Sequence, residues 1–159
     1  VDAEVFLAAL ANRTVLVVDD EPSVCHALSR ALATEGYKVL TAESGVEALR
    51  LLHDQPVQVI ISDQRMPELS GIDLLKLVRV RYPRVVRIML TGDKDPETTI
   101  RSINEGEVYR FIRKPWRNAD LRAIVHFAFG ARAESTSAAD PVGLEKEIAL
   151  LAEDELLGG

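Results

Sequence analysis

The sequence predicts an α/β protein built on an open, doubly wound parallel sheet. From Thr14 onward, short β-rich apolar runs alternate five times with longer stretches of helical spacing. The runs are continuously apolar, as strands buried on both faces should be. The connections are short, as right-handed βα crossovers require. Such sheets bind ligands in the crevice at the carboxyl ends of their strands, so those ends are where chemistry is to be sought.

Each element has its own signal. The predicted strands are Val15–Val18, Lys38–Thr41, Val57–Ser62, Val85–Leu90 and Tyr109–Ile112, all rich in Val, Ile, Leu or aromatic residues. Between them, Val24, Leu28, Ala31 and Leu32 form one helical stripe, Val46, Leu49 and Leu52 a second, and Ile72, Leu75 and Val78 a third. Gly36 should end the first helix. Ser44 precedes the second, with Glu47 three residues on as in a capping box, and Ser70-Gly71 opens the third. Pro96 fits the start of the fourth helix, and Asn118 or Asp120 that of the fifth.

The domain is expected to span 14–130, after an N-terminal extension of residues 1–13. A length of 159 residues allows one such domain and an appendage. Residues Arg132–Gly143 gather Ala, Ser, Thr, Asp, Pro and Gly, which reads as a linker. Beyond it Leu144, Ile148 and Leu151 fall at helical spacing among Glu145, Lys146, Glu147 and Glu153, so 131–159 is expected to be a linker with a short connector helix or a frayed acidic tail.

Composition sets limits on partners. A formal net charge of −6 argues against direct nucleic-acid binding. No stretch reaches the length and apolarity of a membrane span, and Asp2 and Glu4 stand where a signal peptide would carry basic residues, so a cytoplasmic location is expected. Val1 in place of an initiator Met fits an excerpt of a longer chain. The single cysteine, Cys25, rules out an internal disulfide and reads as a small buried hydrophobe.

The strand ends carry the acidic residues. The first runs into Asp19-Asp20-Glu21 and the third into Asp63. With strands one and three adjacent, three carboxylates converge, and a hard cation such as Mg²⁺ would relieve their repulsion. Each piece alone has a plainer reading as a turn or a helix cap. The fourth strand, however, ends in Thr91-Gly92 and the fifth runs into Lys114-Pro115, adding a hydroxyl and an ammonium suited to a phosphoryl group.

This set resembles the receiver domains of two-component response regulators, the CheY-like phosphoacceptor domains. The resemblance covers Thr14 to about Gly130 and rests on four motifs in order: Val-Val-Asp19-Asp20-Glu21-Pro22, Asp63-Gln64-Arg65-Met66-Pro67 with Ser70-Gly71, Leu90-Thr91-Gly92, and Arg113-Lys114-Pro115-Trp116. It implies a flavodoxin-like (βα)5 fold with strand order 2-1-3-4-5. It makes Asp63 the acceptor of a phosphoryl group from a sensor histidine kinase or phosphotransfer protein. Mg²⁺, or Mn²⁺ in its place, would be held by Asp20, Asp63 and the backbone carbonyl of Arg65, with Asp19 acting through a water. Lys114 would pair with a carboxylate and then with a phosphoryl oxygen, and Thr91 would donate its hydroxyl. A cis Lys114-Pro115 bond is implied as well. Thr91 and Phe111 would be the switch pair, with permanent burial the competing role for Phe111. Signalling would pass through the fourth helix, fifth strand and fifth helix to a twin subunit or to an output domain outside this chain.

Arg65 and Asp93 depart from the generic pattern; a pair between them would tune the lifetime of the phosphoryl group by restricting the hydrolytic water, with an exposed ion pair of no kinetic role as the competing reading. The segment from Ile103 to Trp116 looks like receivers that precede cyclic-di-nucleotide phosphodiesterase or AAA+ activator domains. Trp116 would anchor an interface or simply pack. A haloacid-dehalogenase-type hydrolase would want Asp-x-Asp where its nucleophile follows a strand, and this chain has Asp19-Asp20-Glu21 with Asp63 far downstream; a dinucleotide-binding domain would want a glycine-rich turn after strand one, where Asp-Asp-Glu-Pro stands. A phosphate-independent interaction module is the remaining alternative. His26, His53 and His126 lack metal-ligand spacing.

Overall fold

The structure, a computed structural model, describes residues 13–92 and 108–137, the side chains of 132–137 excepted. Five parallel strands, β1 (Thr14–Val18), β2 (Lys38–Ala42), β3 (Val59–Asp63), β4 (Val86–Thr91) and β5 (Arg110–Arg113), form one sheet in the order β2-β1-β3-β4-β5. The helices described are α1 (Pro22–Ala33), α2 (Gly45–Asp54), α3 (Gly71–Arg81) and the C-terminal α4 (Asn118–Ser137). This α4 is the fifth helix of the sequence reading; the helix expected near Pro96 lies outside the described residues.

Alternation along the strands splits the core into two layers. Val15, Val17, Val59, Ile61, Ile88, Leu90 and Ile112 meet Cys25, Leu28 and Leu32 of α1 and Leu121, Val125 and Phe129 of α4. Leu16, Val18, Ile60 and Met89 point the other way, onto Ala48 and Leu52 of α2 and Leu74, Leu75 and Val78 of α3. Successive strand residues face opposite sides of a sheet, so a run apolar at every position is what two covered faces demand. Each fully buried Leu or Ile contributes about 1.5–3 kcal/mol.

The caps follow the predicted signals. Ser44 Oγ accepts from Glu47 N–H at 3.1 Å, and Glu47 Oε2 accepts from Glu43 N–H at 3.1 Å. Pro22 occupies the first turn of α1. Gly36, at φ 82°, turns the chain after that helix.

Three local readings need correction. Val46, placed on the buried stripe of α2, is 55% exposed, and Gly45, Ala48 and Leu52 are the residues turned inward. A Cβ on Gly45 would come within 2.5 Å of the Leu69 side chain, so this helix approaches its neighbour through small residues. Strand β3 starts at Val59, two residues later than expected, and the Gln58 side chain just before it reaches the β1 backbone: its Oε1 accepts from Thr14 N–H at 2.7 Å. Helix α4 continues through Gly130 to Ser137, so residues 131–137 of the expected linker are helical. The connector helix expected around Leu144 lies outside the described residues, as does the extension before Arg13.

Candidate functional site

The strand register brings the acidic ends together. Val18 pairs with Ser62, so Asp19 and Asp63 leave neighbouring strands side by side. Asp63 pairs with Leu90, which sets Thr91 one residue further along β4. Thr91 pairs with Arg113, and Lys114 N–H donates to the Thr91 carbonyl at 2.7 Å, so the lysine follows at the same rim.

Asp19 is fully buried, Asp63 and Thr91 are buried, and Asp20 is exposed at the mouth. Carboxylate oxygens of Asp19, Asp20 and Asp63 lie within 4.8 Å of one another. Lys114 Nζ sits between two of them, 3.1 Å from Asp19 Oδ2 and 2.9 Å from Asp63 Oδ1. Glu21 N–H donates to Asp19 Oδ1 at 2.9 Å. The Lys114-Pro115 bond is cis, as the resemblance implied.

The electrostatics show competing effects. Burial raises the Asp19 pKa and the Asp63 charge raises it further, against the Glu21 amide and the Lys114 ammonium. Burial pulls Lys114 down, but hydrogen bonding and charge from Asp63 and Asp19 outweigh it, and its pKa rises. Three carboxylates against one ammonium leave an excess of negative charge at the crevice. Oxygen-only donors with that excess suit a hard divalent cation.

Main-chain packing fixes the rim around Asp63. Ser62 Oγ donates to the Asp63 carbonyl at 3.0 Å. A Cβ on Gly71 would come within 2.2 Å of that carbonyl oxygen, so only glycine lets α3 start against the end of β3. Glu68 in the intervening loop has φ 69°, a left-handed backbone uncommon outside glycine. The sequence reading takes Ser70-Gly71 as a helix start and as part of the motif after Asp63, and it assigns no role to Ser62, Gln64 or Glu68. A glycine inside a helix costs about 1 kcal/mol. Its presence at a first turn was the available signal of close approach.

Arg65 is exposed two residues past Asp63, while Asp93 lies outside the described residues, so the suggested pair falls there too. Phe111 is half-buried against the α2 and α3 layer. Trp116 packs on the opposite layer and its Nε1–H donates to Asn118 Oδ1 at 3.1 Å. Cys25 is buried, as expected, and burial pushes its thiol up to about 11. His26, His53 and His126 are all exposed.

The fold and this crevice define a class: a doubly wound α/β domain with a lysine-bridged acidic cluster at the point where strand order reverses. The family model for the response regulator receiver domain matches residues 15–126, and the chain belongs to that family, as a receiver domain of a two-component response regulator. The hydrogenase transcriptional regulatory protein HoxA of Cupriavidus necator is 52% identical over 103 residues, 65% of this chain and 21% of that protein. The DNA-binding transcriptional regulator NtrC of Escherichia coli is 34% identical over 114 residues, 72% of this chain and 24% of that protein. The chain thus spans roughly a fifth to a quarter of the length of these relatives. Among solved structures, a response regulator receiver domain protein from Clostridium thermocellum superposes with TM-score 0.72 at 33% identity, covering 76% of this chain and 96% of that one. The receiver domain of NtrX from Brucella abortus gives 0.69 at 28%, covering 73% and 98%.

Proposed function

We propose that this chain is a phosphorylation-activated switch in which Asp63 accepts a phosphoryl group from a phosphohistidine of a sensor kinase or phosphotransfer protein. The observation that carries the reading is the Lys114 ammonium set between the buried Asp19 and Asp63 carboxylates, with Asp20 at the mouth. In the transfer, the P–N bond of the donor breaks as a P–O bond to an Asp63 carboxylate oxygen forms, and the histidine leaves as neutral imidazole after taking up a proton. Lys114 supplies a compact positive charge that can follow a phosphoryl oxygen, and Thr91 a hydroxyl donor from the next strand end. Asp20, Asp63 and the Arg65 carbonyl would hold Mg²⁺ or Mn²⁺, with Asp19 reached through a water. When bound, the ion supplies charge neutralisation for the transferring oxygens. The domain catalyses only its own phosphorylation and slow dephosphorylation.

Its working unit begins at Thr14 and runs into α4, whose continuation past Gly130 leads into a connector towards an output. The similarity to HoxA and NtrC favours a transcriptional regulatory output supplied outside this chain, in the cytoplasm. No described helix is long and apolar enough to cross a membrane. The signal would leave through β5, the C-terminal helix and the helix expected before β5, to a twin subunit or that output. A groove lined by Phe111, Arg113, Trp116, Ile124 and Phe127 supports this face, and Phe127 is 64% exposed.

The test is intact mass after incubation with Mg²⁺ and acetyl phosphate. A metal-dependent gain of one phosphoryl group in the wild type, absent in Asp63→Asn, is expected. No gain, even with candidate kinases, would favour a phosphate-independent interaction module.

A further inference from the structure

A helix begins with N–H groups that have no partner inside it. In α3 the first three are all satisfied, and two of them by one residue. Gly71 N–H donates to the Gln64 carbonyl at 3.0 Å and Ile72 N–H to Gln64 Oε1 at 2.9 Å. Asp73 N–H donates to Ser70 Oγ at 3.2 Å. Gln64 directly follows Asp63, so its main-chain and side-chain oxygens together fasten α3 to the end of β3.

From this geometry we infer that Gln64 is a positioning residue for the metal, holding the loop that carries the Arg65 carbonyl. The inference rests on the proposed reading of Asp63 and its neighbours as a magnesium site. The loop from Arg65 to Leu69 is closed by Gln64 at one end and Ser70 at the other. Its tip already carries the unfavourable backbone of Glu68, and Leu69 lies against Gly45. An apolar side chain at position 64 would keep the bond to Gly71 and lose the bond to Ile72, leaving a part-buried amide unpaired. The first turn of α3 would then loosen and the Arg65 carbonyl lose its fixed place. Partners that orient a ligand without touching the ion typically change metal affinity by about 10–100-fold when removed.

The test compares wild type, Gln64→Met, which keeps length but no acceptor, and Gln64→Glu, which keeps an acceptor. In metal-free protein, hydrogen exchange at the Ile72 amide should speed up by about tenfold in Gln64→Met and stay near wild type in Gln64→Glu. In calorimetric titration with MgCl₂, Gln64→Met should bind about tenfold more weakly, while its phosphorylation rate at saturating Mg²⁺ returns to within about twofold of wild type. A merely structural role would lower thermal stability without moving the magnesium affinity. Wild-type affinity in a folded Gln64→Met, or an unchanged Ile72 exchange rate, overturns the inference. A wild type that binds no Mg²⁺ overturns the metal reading itself, and the metal-free exchange data tell the two failures apart. Should Gln64→Met not fold, Gln64→Asn, one methylene too short to reach Ile72, takes its place.

Discussion

The two ends of the sheet solve the same problem with different chemistry. At the amino end, buried polar groups are paired without a cluster of like charges: Gln58 Oε1 accepts from Thr14 N–H, Gln58 N–H donates to the Thr14 carbonyl at 3.1 Å, Val86 N–H donates to the Gln58 carbonyl at 2.9 Å, and Arg87 Nη1 donates to the Val85 carbonyl at 3.1 Å. At the carboxyl end, buried carboxylates face one another across one ammonium, a glycine is pressed onto a carbonyl, and a glutamate holds a left-handed backbone. One end closes the fold, and the other holds unbalanced charge ready for a ligand. Sites of function are where such local strain collects.

Gly71→Ala should have the largest effect, about 3 kcal/mol of lost stability in urea unfolding, because the added methyl meets main chain that cannot yield. Gln58→Leu should cost about 2 kcal/mol at the other end by stranding buried Thr14 N–H, and this loss should be indifferent to Mg²⁺. Lys114→Met should cost about 1–2 kcal/mol in metal-free protein at pH 7, since the ammonium is partly exposed while Asp19 is not. If saturating Mg²⁺ does not shrink that cost, the two ends are less different than their geometry implies.

The pH dependence separates the ends further. The Lys114 pKa is raised on folding, so its contribution is full below 10.5 and is lost as pH climbs through the higher folded value. The Asp19 pKa is also raised, so the metal-free fold binds that proton more tightly than the unfolded chain. Its contribution to stability therefore declines as pH rises from 3.8 through the folded value, and acidification into that window relieves the carboxyl end. Gln58→Leu should follow the wild-type pH profile in parallel, whereas Lys114→Met should converge on wild type at high pH. Glu68→Gly should have the smallest effect, a gain of about 1 kcal/mol, because glycine adopts the left-handed backbone freely.

The strand ends were readable in the sequence because acidic, hydroxyl and basic residues there interrupt apolar runs. Asp19, Asp20, Asp63, Thr91 and Lys114 reach one rim through βα order together with the adjacency of strands one and three, which the resemblance supplies and the sheet order bears out. The parts that were missed share a cause: they depend on main-chain proximity, which a residue's type does not announce. Val46 was expected inside because it is large and apolar, yet the close approach of α2 to Leu69 selects Gly45 and Ala48. Gly130 was read as a stop, yet one glycine costs a helix only about 1 kcal/mol, and Phe129 and Ala128 are anchored in the core just before it. Gln64 stands in the motif after Asp63, but its bond to the Ile72 amide is invisible until α3 is placed.

The bond from Lys114 N–H to the Thr91 carbonyl joins the backbones of the two residues that would grip a phosphoryl group. In the proposed switch, a pull on either side chain would pass through this bond to β5, an edge strand of the sheet, as displacement of that edge. Occupancy at the centre of the molecule would thus be read out at its border by a lever one hydrogen bond long.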